Sequence, residues 1–353
     1  MQKNFIDQSR PVRQGEELNI AILDEWLKNE LPHLKGLPEV SQYSGGASNW
    51  TYRLEYENDD LILRRPPAGT KAKSAHDMGR EYRIQKALSG LYPVPEILAY
   101  SDDESIIGAE FYVMRRIAGI IPRANLPKGM ELTEEQTRQL CLNVIDKLIA
   151  LHQLDIQTTG LSAFGKGEGY IRRQIEGWSK RYIQARTEDV ETFESVMKWL
   201  EDNLPENENI ALIHNDYRFD NVILDPENPM RIIGILDWEM ATIGDPLMDL
   251  GNSLAYWVQA DDDAFFQAVR RQPTHLPGML TRQEVVGYYC EKTGLRPEKW
   301  AFYEVYGIFR LAVIAQQIYY RYYHGQTNNP AFKDFGKMVN YLYLRCLKCI
   351  EKE

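Results

Sequence analysis

The sequence predicts an α+β protein with two lobes: a small, β-rich N-terminal lobe over residues 1–117 and a larger, mainly helical C-terminal lobe over residues 118–353. Short apolar runs separated by polar turns, which are typical of strands, are concentrated before residue 117. Long stretches with apolar residues at helical spacing follow residue 118. A length of 353 residues also suits two domains or one large two-lobed unit.

The N-terminal lobe begins with a predicted helix over residues 17–31, where apolar side chains recur at helical spacing. Three short strands follow: one from about Val40 to a Gly-Gly turn, one over Tyr52–Tyr56 and one over Leu61–Arg65. A helix over residues 76–88, a connecting loop that contains Pro93 and Pro95, and a strand over Glu110–Arg116 complete the lobe.

The C-terminal lobe is predicted to start with three long helices, over residues 133–154, 168–186 and 189–203. Short apolar strands alternate with polar turns between Ile210 and Asp237. Helical periodicity returns from Gly244 and includes an aromatic-rich helix over Lys299–His324. The sequence has no internal repeat, low-complexity tract or long linker, so we expect the two lobes to pack closely with a cleft between them.

Composition and charge exclude several classes of protein. The net charge of −10, from 41 basic and 51 acidic residues, argues against binding to a nucleic-acid backbone. No apolar run reaches the roughly 18–20 residues that cross a bilayer, and the N-terminus lacks the apolar stretch of a secretory signal. Cys346 and Cys349 form a lone CxxC, which we interpret as structural because no second pair completes a metal site. We therefore expect a cytoplasmic protein with no nucleic-acid or membrane partner.

Polar side chains that could carry chemistry cluster over residues 213–221 and after the next predicted strand. His214, Asp216 and Asn221 fall on a loop between short apolar runs, and Asp237 directly follows a strand. Phosphoryl transfer needs a carboxylate that accepts the proton of the attacking hydroxyl, and Asn and Asp oxygens that hold Mg²⁺ against the nucleotide phosphates. The alternative is that these acids are turn and cap residues, but the common register of these polar positions favours a phosphotransferase site.

The pattern His-x-Asp-x4-Asn, followed sixteen residues later by Asp, resembles the kinase catalytic loop and its metal-binding Asp. The continuation Asp-Trp-Glu, Gly-Asp-Pro and Asp-Leu resembles the aminoglycoside phosphotransferase family, which includes choline-kinase-like enzymes, over roughly residues 43–257. This resemblance implies a protein-kinase-like fold with ATP and Mg²⁺ as cofactors. It also implies that Asp216 is the catalytic base, that His214 braces the loop, and that Asn221 and Asp237 are Mg²⁺ ligands.

The same resemblance assigns nucleotide-binding residues in the N-terminal lobe. The loop after the first strand lies where a kinase-like fold covers the phosphates with backbone N–H groups; its candidates are Ser44, Gly45, Gly46, Ser48 and Asn49. Arg64 stands where protein kinases carry a phosphate-pairing lysine, and Glu81 stands in the place of its ion-pair partner. Met114, on the strand predicted over Glu110–Arg116, is a further candidate. The alternatives are an ordinary hairpin for the loop, a surface ion pair for Arg64 and Glu81, and Arg65 in the role of Arg64.

Two departures from protein kinases favour a small-molecule acceptor. Asn215 replaces the arginine that reads a phosphorylated activation loop in protein kinases, and no Ala-Pro-Glu follows Asp237. The acceptor is therefore predicted to be a hydroxylated small molecule.

Four segments resemble the kinase-like domains associated with acyl-CoA dehydrogenases: LRRPP at 63–67, SAHDMGREYRIQ at 74–85, FYVMRRIAG at 111–119 and GYIRRQIEGW at 169–178. This resemblance implies a hydroxyacyl-CoA or a hydroxy acid as the acceptor. Residues 251–353 carry 13 Lys/Arg and 10 Asp/Glu, which favours an anionic acceptor. Arg172, Arg173 and Arg310 are candidates to contact it; the alternatives are a solvated helix face and, for Arg310, a paired interior charge.

The leading hypothesis is an ATP- and Mg²⁺-dependent phosphotransferase that acts on the hydroxyl of a small molecule. A nucleotide-binding pseudokinase with a regulatory role is the second, and the presence of Asp216, Asn221 and Asp237 speaks against it. An aminoglycoside- or choline-type kinase is the third. A site for polycationic aminoglycosides would need an acidic surplus on the acceptor side, which residues 251–353 lack.

Overall fold

A computed structural model describes residues 5–43, 49–67 and 77–353. The chain divides into two compact units, here called the first unit (residues 1–132 and 219–241) and the second unit (residues 133–218 and 242–353). The first unit is larger than the predicted N-terminal lobe, because it takes in residues 118–132 and the segment 219–241. The boundary at residue 117 stays a prediction about the functional lobes.

The first unit contains a five-stranded antiparallel sheet with the order β1-β2-β3-β5-β4. Its strands are β1 (Glu39–Gln42), β2 (Trp50–Glu55), β3 (Asp60–Arg65), β4 (Ile97–Ser101) and β5 (Phe111–Arg115). The strands predicted around 40–44, 52–56, 61–65 and 110–116 are confirmed to within a few residues. Strand β4 was not predicted, because its five residues follow a proline-rich loop and form an edge strand with an irregular register.

Alternate side chains of the strands belong to two separate apolar clusters, one that includes α1 and one that includes α2. In the first unit, α1 (Ile20–Glu30) lies near the short helix α3 (Glu104–Ile107), and α2 (Met78–Leu88) packs against β4 and β5. Because side chains alternate along a strand, Leu61 and Leu63 of β3 join the core with α1. Ile62 joins a separate cluster with Met78 and Met114. Arg64 therefore shares the α2 side of β3 with Ile62.

A short hairpin completes the first unit. It consists of β7 (Val222–Leu224) and β8 (Ile232–Ile235) and is flanked by 3-10 turns at Phe219–Asn221 and Trp238–Met240. An isolated bridge between Ile120 and Leu224 ties the hairpin to the chain that follows the sheet. This hairpin carries two of the predicted site residues at one end.

The second unit is mainly helical. Its helices are α4 (Glu134–His152), α5 (Tyr170–Ala185), α6 (Glu194–Asp202), α7 (Pro246–Ala255), α8 (Ala264–Ala268), α9 (Arg282–Thr293), α10 (Trp300–Tyr323) and α11 (Phe335–Glu351). The small strands β6 (Ala211–Ile213) and β9 (Thr242–Gly244) pair antiparallel. The helices predicted over 133–154, 168–186 and 299–324 are confirmed. The one predicted over 189–203 begins only at Glu194, because Phe193 adopts a left-handed backbone conformation.

Helices α7 and α10 approach each other at two glycines. A Cβ atom on Gly307 would lie 2.1 Å from the carbonyl oxygen of Gly251, and one on Gly251 would lie 2.3 Å from the carbonyl oxygen of Tyr303. Only glycine permits this backbone contact. The contact brings the middle of α10, including Arg310, to the loop that follows β6.

None of the helices described is both long enough and apolar enough to span a membrane.

Candidate active site

The first unit joins three of the predicted site residues through one buried cation. Arg64 Nη1 lies 3.5 Å from Glu81 Oε1, and Arg64 Nη2 lies 3.0 Å from Asp237 Oδ1. Glu81 is fully buried and the Arg64 residue is 8% exposed, so this is not the surface pair considered as the alternative. Arg65, on the opposite side of β3, instead donates to the carbonyl of Ile107 and stacks over Trp50. Because side chains alternate along β3, Arg64 and not Arg65 is the arginine that contacts Glu81 and Asp237.

The contacts of Arg64 with two carboxylates change the pKa values of Arg64 and Glu81. Burial raises the pKa of Glu81; Arg64 counteracts it, but the nearby charge of Asp237 adds to the increase. Burial alone would lower the pKa of Arg64, yet Glu81, Tyr112 and Asp237 outweigh it and raise that pKa well above its usual value. Arg64 therefore remains a cation at any physiological pH.

The β7–β8 hairpin places Asn221 and Asp237 at the same end. Val222 pairs with Ile235, and the N–H of Leu236 donates to the carbonyl of Asn221 over 2.8 Å. Asp237 then leaves the strand with a φ of 67°, a left-handed conformation that Asp adopts more readily than most residues. A carboxylate and an amide on adjacent backbone segments are a donor set suited to a hard divalent cation.

Buried aromatic packing holds the backbone around Asp237. The next residue, Trp238, is fully buried, and its Nε1–H donates to the carbonyl of Ile235 over 2.9 Å. Its ring also packs edge-to-face against Tyr92, with centroids 5.6 Å apart. The backbone that follows Asp237 is thus held in place by the buried Trp238 side chain.

One residue of the predicted phosphate-covering loop is tied to the same segment. Ser44, Gly45, Gly46 and Ser48 lie outside the described residues, but Asn49 is described and is 1% exposed. Its Nδ2 donates to Glu239 Oε2 over 2.7 Å. The start of β2 is thereby linked to the residue two positions after Asp237, a connection that the sequence did not suggest.

Met114 belongs to the apolar cluster on the side of β3 that Arg64 faces. It is 5% exposed on β5 and packs with Ile62, Met78 and Tyr112. Its role toward a nucleotide stays a prediction.

In the second unit, Asp249 organises the loop that follows β6. Its Oδ2 accepts the N–H of His214 over 2.8 Å, and its Oδ1 accepts the N–H of Asn215 over 2.8 Å. His152 Nε2 lies 2.9 Å from Oδ2, and Tyr289 Oη lies 2.7 Å from the other ring nitrogen. Asp249 is fully buried, so these contacts satisfy a carboxylate that has no exposure to solvent.

The pKa of Asp249 reflects these partners. Burial alone would raise it, but the hydrogen bond and charge of His152, followed by the contributions of His214, outweigh burial and lower the pKa below its usual value. Asp249 is therefore held as an anion.

Local sequence explains why Asp249 reaches this loop. Asp245 caps helix α7 by accepting the N–H groups of Leu247 and Met248, and Pro246 occupies the first helical position. Asp249 follows one turn later in the same helix. The Gly-Asp-Pro sequence is thus the start signal of the helix that presents Asp249.

Asn215 adopts a φ of 64°, and its position is held from two elements. Arg310 Nη2 donates to its carbonyl over 2.9 Å, and Asn252 Nδ2 donates to its side-chain oxygen over 3.1 Å. Arg310 is 4% exposed and lies over the Trp178 ring at 5.2 Å. It is therefore an interior cation that is hydrogen-bonded to the backbone, and it does not lie on a solvated helix face.

The two catalytic candidates lie at the centre of this loop. His214 is fully buried, and its Nδ1 accepts the N–H of Asp216 over 3.2 Å. Tyr217 anchors the following turn by donating from its hydroxyl to the carbonyl of Val144 over 2.6 Å. The backbone of Asp216 is thus held on both sides, which leaves its carboxylate to be positioned by side-chain contacts.

Arg218 makes such a contact. Its Nη2 lies 3.3 Å from Asp216 Oδ2, and its guanidinium lies 4.6 Å from the centroid of the Tyr256 ring. Arg173, by contrast, donates to the carbonyls of Glu168 and Gly167 at the start of its own helix.

Sequence reasoning missed three residues of this site. Arg218 lies within the 213–221 block, and its position two residues after Asp216 was the available signal. Asp249 belongs to the Asp-Leu motif, and its spacing from a helix-start signal could have indicated its role. His152, a single histidine near the end of a predicted helix, carried no signal of its own.

The family of the chain follows from its similarity to known proteins. Residues 39–284 match the phosphotransferase enzyme family (APH). This match covers more than half of the chain, and the chain belongs to that family.

The chain is also similar to parts of larger curated proteins. It is 35% identical to acyl-CoA dehydrogenase family member 10 of Mus musculus over 338 residues, which are 95% of this chain and 31% of that protein. It is 35% identical to acyl-CoA dehydrogenase family member 11 of Homo sapiens over 305 residues, which are 85% of this chain and 38% of that protein. The chain thus spans about a third of the length of these relatives.

Solved structures confirm the kinase-like fold. A Ralstonia eutropha protein provisionally assigned as an aminoglycoside phosphotransferase matches with a TM-score of 0.80 and 28% identity, over 95% of this chain and 99% of that one. The aminoglycoside phosphotransferase APH(4)-Ia, in a complex with AMP-PNP and hygromycin B, matches with a TM-score of 0.59 and 16% identity, over 93% of this chain and 98% of that one. Choline kinase LicA of Streptococcus pneumoniae matches with a TM-score of 0.59 and 18% identity, over 94% and 99%.

Proposed function

We propose that this protein is an ATP- and Mg²⁺-dependent phosphotransferase that acts on the hydroxyl of a small molecule, with a hydroxyacyl-CoA or a hydroxy acid as the acceptor. The observation that carries the proposal is the buried Arg64, which bridges Glu81 and Asp237 at the end of the hairpin that also holds Asn221. A cation able to pair with phosphate oxygens and two oxygen donors for a metal are the parts that phosphoryl transfer requires. Membership of the phosphotransferase family supports the same conclusion.

The residues of the first unit act on the nucleotide. Arg64 pairs with phosphate oxygens, and Glu81 orients it through their ion pair. Asn221 and Asp237 hold Mg²⁺, which when bound with ATP offsets the charge of the phosphates. The loop that contains Ser44, Gly45, Gly46, Ser48 and Asn49 would cover the phosphates, and Met114 is a further candidate for contact with the nucleotide. A fold shared with a complex that contains AMP-PNP supports the use of a nucleotide.

Asp216 of the second unit acts on the acceptor. The acceptor oxygen attacks the γ-phosphorus of ATP, the bond from that phosphorus to the β–γ bridging oxygen breaks, and ADP leaves. The proton of the hydroxyl passes to the Asp216 carboxylate. His214 and Asp249 keep the loop in the conformation that presents Asp216.

The nature of the acceptor is supported by similarity and by charge. The curated relatives are named as acyl-CoA dehydrogenase family members, and the part that this chain matches is only about a third of each. A kinase-like unit that accompanies a dehydrogenase of acyl-CoA is suited to act on an acyl-CoA or a related acid. The surplus of basic residues over 251–353 also favours an anionic acceptor. An aminoglycoside- or choline-type acceptor is the second candidate, because solved structures with those names share the fold.

A phosphorylation screen tests the proposal. The purified chain, with ATP and Mg²⁺, would be incubated separately with hydroxyacyl-CoAs, hydroxy acids, choline-like alcohols and aminoglycosides, and acceptor-dependent release of ADP measured. Mass spectrometry would identify the phosphorylated product. The Asp237→Ala variant is the control for metal-dependent transfer, since it lacks the carboxylate ligand. Absence of acceptor-dependent ADP release across the whole panel, with nucleotide still bound, would instead identify a regulatory pseudokinase.

A further inference from the structure

Arg218 and Asp216 form a pair that is close to solvent but largely enclosed. Their side chains are 13% and 20% exposed, and the closest nitrogen and oxygen lie 3.3 Å apart. Both belong to the second unit, in which the acceptor-activating carboxylate is placed. A small molecule whose hydroxyl reaches Asp216 therefore also comes within reach of Arg218.

Aromatic packing fixes the direction of the Arg218 guanidinium. The group lies 4.6 Å from the centroid of the Tyr256 ring, a cation–π distance. Tyr256 directly follows helix α7, which also carries Asp249. Helix α7 thus carries Asp249, which holds the backbone of the loop after β6, and ends next to Tyr256, which packs against Arg218.

The surroundings of Tyr256 are more basic than acidic. Burial raises the pKa of Tyr256, and Arg218, Arg310 and Arg271 oppose the increase while Asp216 adds to it. Arg310 is engaged with the carbonyl of Asn215, and Arg271 is exposed, so Arg218 is the cation of this group that contacts the catalytic carboxylate.

A guanidinium carries five N–H donors in a planar fork, so it can serve Asp216 and a second oxyanion together. The hydroxyl that Asp216 activates must lie about 2.6–3.2 Å from its carboxylate. Because Arg218 lies 3.3 Å from Asp216, an oxygen two or three carbons away from that hydroxyl could reach Arg218. An ammonium group at the same position would instead be repelled by the guanidinium.

We propose that Arg218, supported by Tyr256, binds a carboxylate or acyl carbonyl oxygen of the acceptor close to the reacting hydroxyl, and so selects hydroxy acids and their thioesters over cationic amino alcohols. This inference rests on the proposed function, in which Asp216 accepts the proton of the acceptor. It replaces Arg173 and Arg310 as acceptor-recognition residues, because both are committed to backbone carbonyls.

The test compares acceptors that differ only in the group next to the hydroxyl. The probes are 3-hydroxybutyrate, 3-hydroxybutyramide, 4-aminobutan-2-ol and 3-hydroxybutyryl-CoA, which present a carboxylate, a neutral amide, an ammonium and a thioester. Each would be assayed with saturating ATP and Mg²⁺ in the wild type and in Arg218→Gln, Arg218→Lys and Arg321→Gln. Arg321→Gln is the matched control, because Arg321 is an exposed arginine of the second unit.

The wild type is expected to prefer the acid or the thioester to the amine by at least about tenfold in kcat/KM. Arg218→Gln should raise the KM of those acceptors roughly tenfold and change the KM of ATP by less than about twofold. It should also reduce the preference in kcat/KM for the acid or the thioester over the amine. Arg218→Lys should keep part of the preference, because it retains the charge but not the fork. Arg321→Gln should behave as the wild type.

Two results would overturn the inference. One is a wild type that uses the amine as well as the acid. The other is an Arg218→Gln variant in which kcat falls equally for every probe while the order of preference is unchanged, which would make Arg218 only a brace for Asp216. If no probe is phosphorylated, binding of the acid and the amine to the AMP-PNP-loaded protein, measured by ligand-observed NMR, separates failure of this inference from failure of the proposed transfer reaction. Equal binding of the two would refute the role of Arg218.

Discussion

Single residues in this protein owe their chemistry to the groups that hold them. Asp216 and Asp249 are both aspartates near the same loop, but Asp249 is fully buried and accepts three contacts, whereas the Asp216 side chain is 20% exposed and pairs with Arg218. The first is suited to hold the backbone, and the second to receive a proton. The proposed division between Asp249 as a positioning carboxylate and Asp216 as the catalytic base leads to a different expected result for a mutation at each residue.

Asp216→Asn is expected to lower kcat by roughly 10²–10⁴-fold, because an amide cannot accept the proton of the hydroxyl. The affinity for ATP should change little, since Asp216 is proposed to address the acceptor. Steady-state kinetics with ATP and acceptor varied separately would measure both effects. Near-normal turnover in this variant would show that Asp216 is not the base.

Asp249→Asn is expected to weaken the fold as well as catalysis. It removes one of the two acceptor oxygens, so a buried N–H or His152 loses its partner, at a cost of about 1–3 kcal/mol. Because the fold lowers the pKa of Asp249, the ionised carboxylate stabilises the protein above its unfolded pKa of about 3.9, and this contribution is lost as the pH falls through the folded value.

Chemical denaturation from about pH 7 to about pH 3 would measure this contribution. The free energy of unfolding of the wild type should fall on acidification more steeply than that of the Asp249→Asn variant. Asp202→Asn, which alters an exposed carboxylate paired with Lys198, is the control and should follow the wild type. Parallel acid limbs for the wild type and Asp249→Asn would contradict the prediction.

At the scale of elements, the site depends on a few contacts that no single element would predict. The β7–β8 hairpin aligns Asn221 with Asp237, and the crossing of α7 and α10 brings Arg310 to the carbonyl of Asn215. Both arrangements are set by backbone geometry. Altering the approach of two helices should therefore disturb a catalytic loop that neither helix contains.

Gly307→Ala tests this helix crossing. The added Cβ would meet the carbonyl oxygen of Gly251 at 2.1 Å, so the helices must separate, at a cost of about 1–3 kcal/mol. Turnover should also fall, because Arg310 is one turn away on the same helix. Gly287→Ala in α9 is the matched control: its Cβ meets nothing within 4 Å, and the helix should gain about 0.5–1 kcal/mol. In thermal unfolding, Gly307→Ala should lower Tm and Gly287→Ala should raise it. Equal shifts in the two variants would contradict a close approach of α7 and α10 at Gly307.

At the scale of the whole molecule, charge is unevenly distributed. The chain has a net charge of −10, yet residues 251–353 carry more basic than acidic side chains, and Asp216, the proposed base, is paired with Arg218. An anionic acceptor would therefore be attracted locally by a protein that is acidic overall. Such attraction is screened over roughly 8–10 Å at physiological salt.

The kcat/KM for an anionic acceptor is expected to fall roughly two- to fivefold when the salt concentration rises from about 0.05 to about 0.5 M, with ATP kept saturating. The neutral 3-hydroxybutyramide provides the comparison, since it lacks the charge that salt would screen. A kcat/KM for the acid that is as insensitive to salt as that of the amide would rule out electrostatic attraction of the acceptor.

The sequence by itself determined the family and most of the secondary structure. The pattern of His214, Asp216, Asn221 and Asp237 resembles the kinase catalytic loop and its metal-binding Asp, and the phosphotransferase family that this resemblance implied is confirmed. Periodicity predicted the long helices and four of the five strands of the main sheet, since each of those elements buries one face. The edge strand β4 was not predicted because it follows directly on the loop that contains Pro93 and Pro95.

Only the tertiary structure decided which charges act together. Arg64 and Arg65 are adjacent and chemically identical, but they face opposite sides of the sheet. As a result, Arg64 pairs with Asp237, whereas Arg65 donates to the carbonyl of Ile107. Nothing in the sequence separates Arg310 from Arg218 as an acceptor contact, yet one is buried against the backbone of Asn215 and the other touches Asp216. His152 meets Asp249 across 97 positions of the chain. Sequence patterns encode burial and local conformation, whereas the partner of a charge depends on long-range packing, and for this reason the structure was needed to distinguish the arginines.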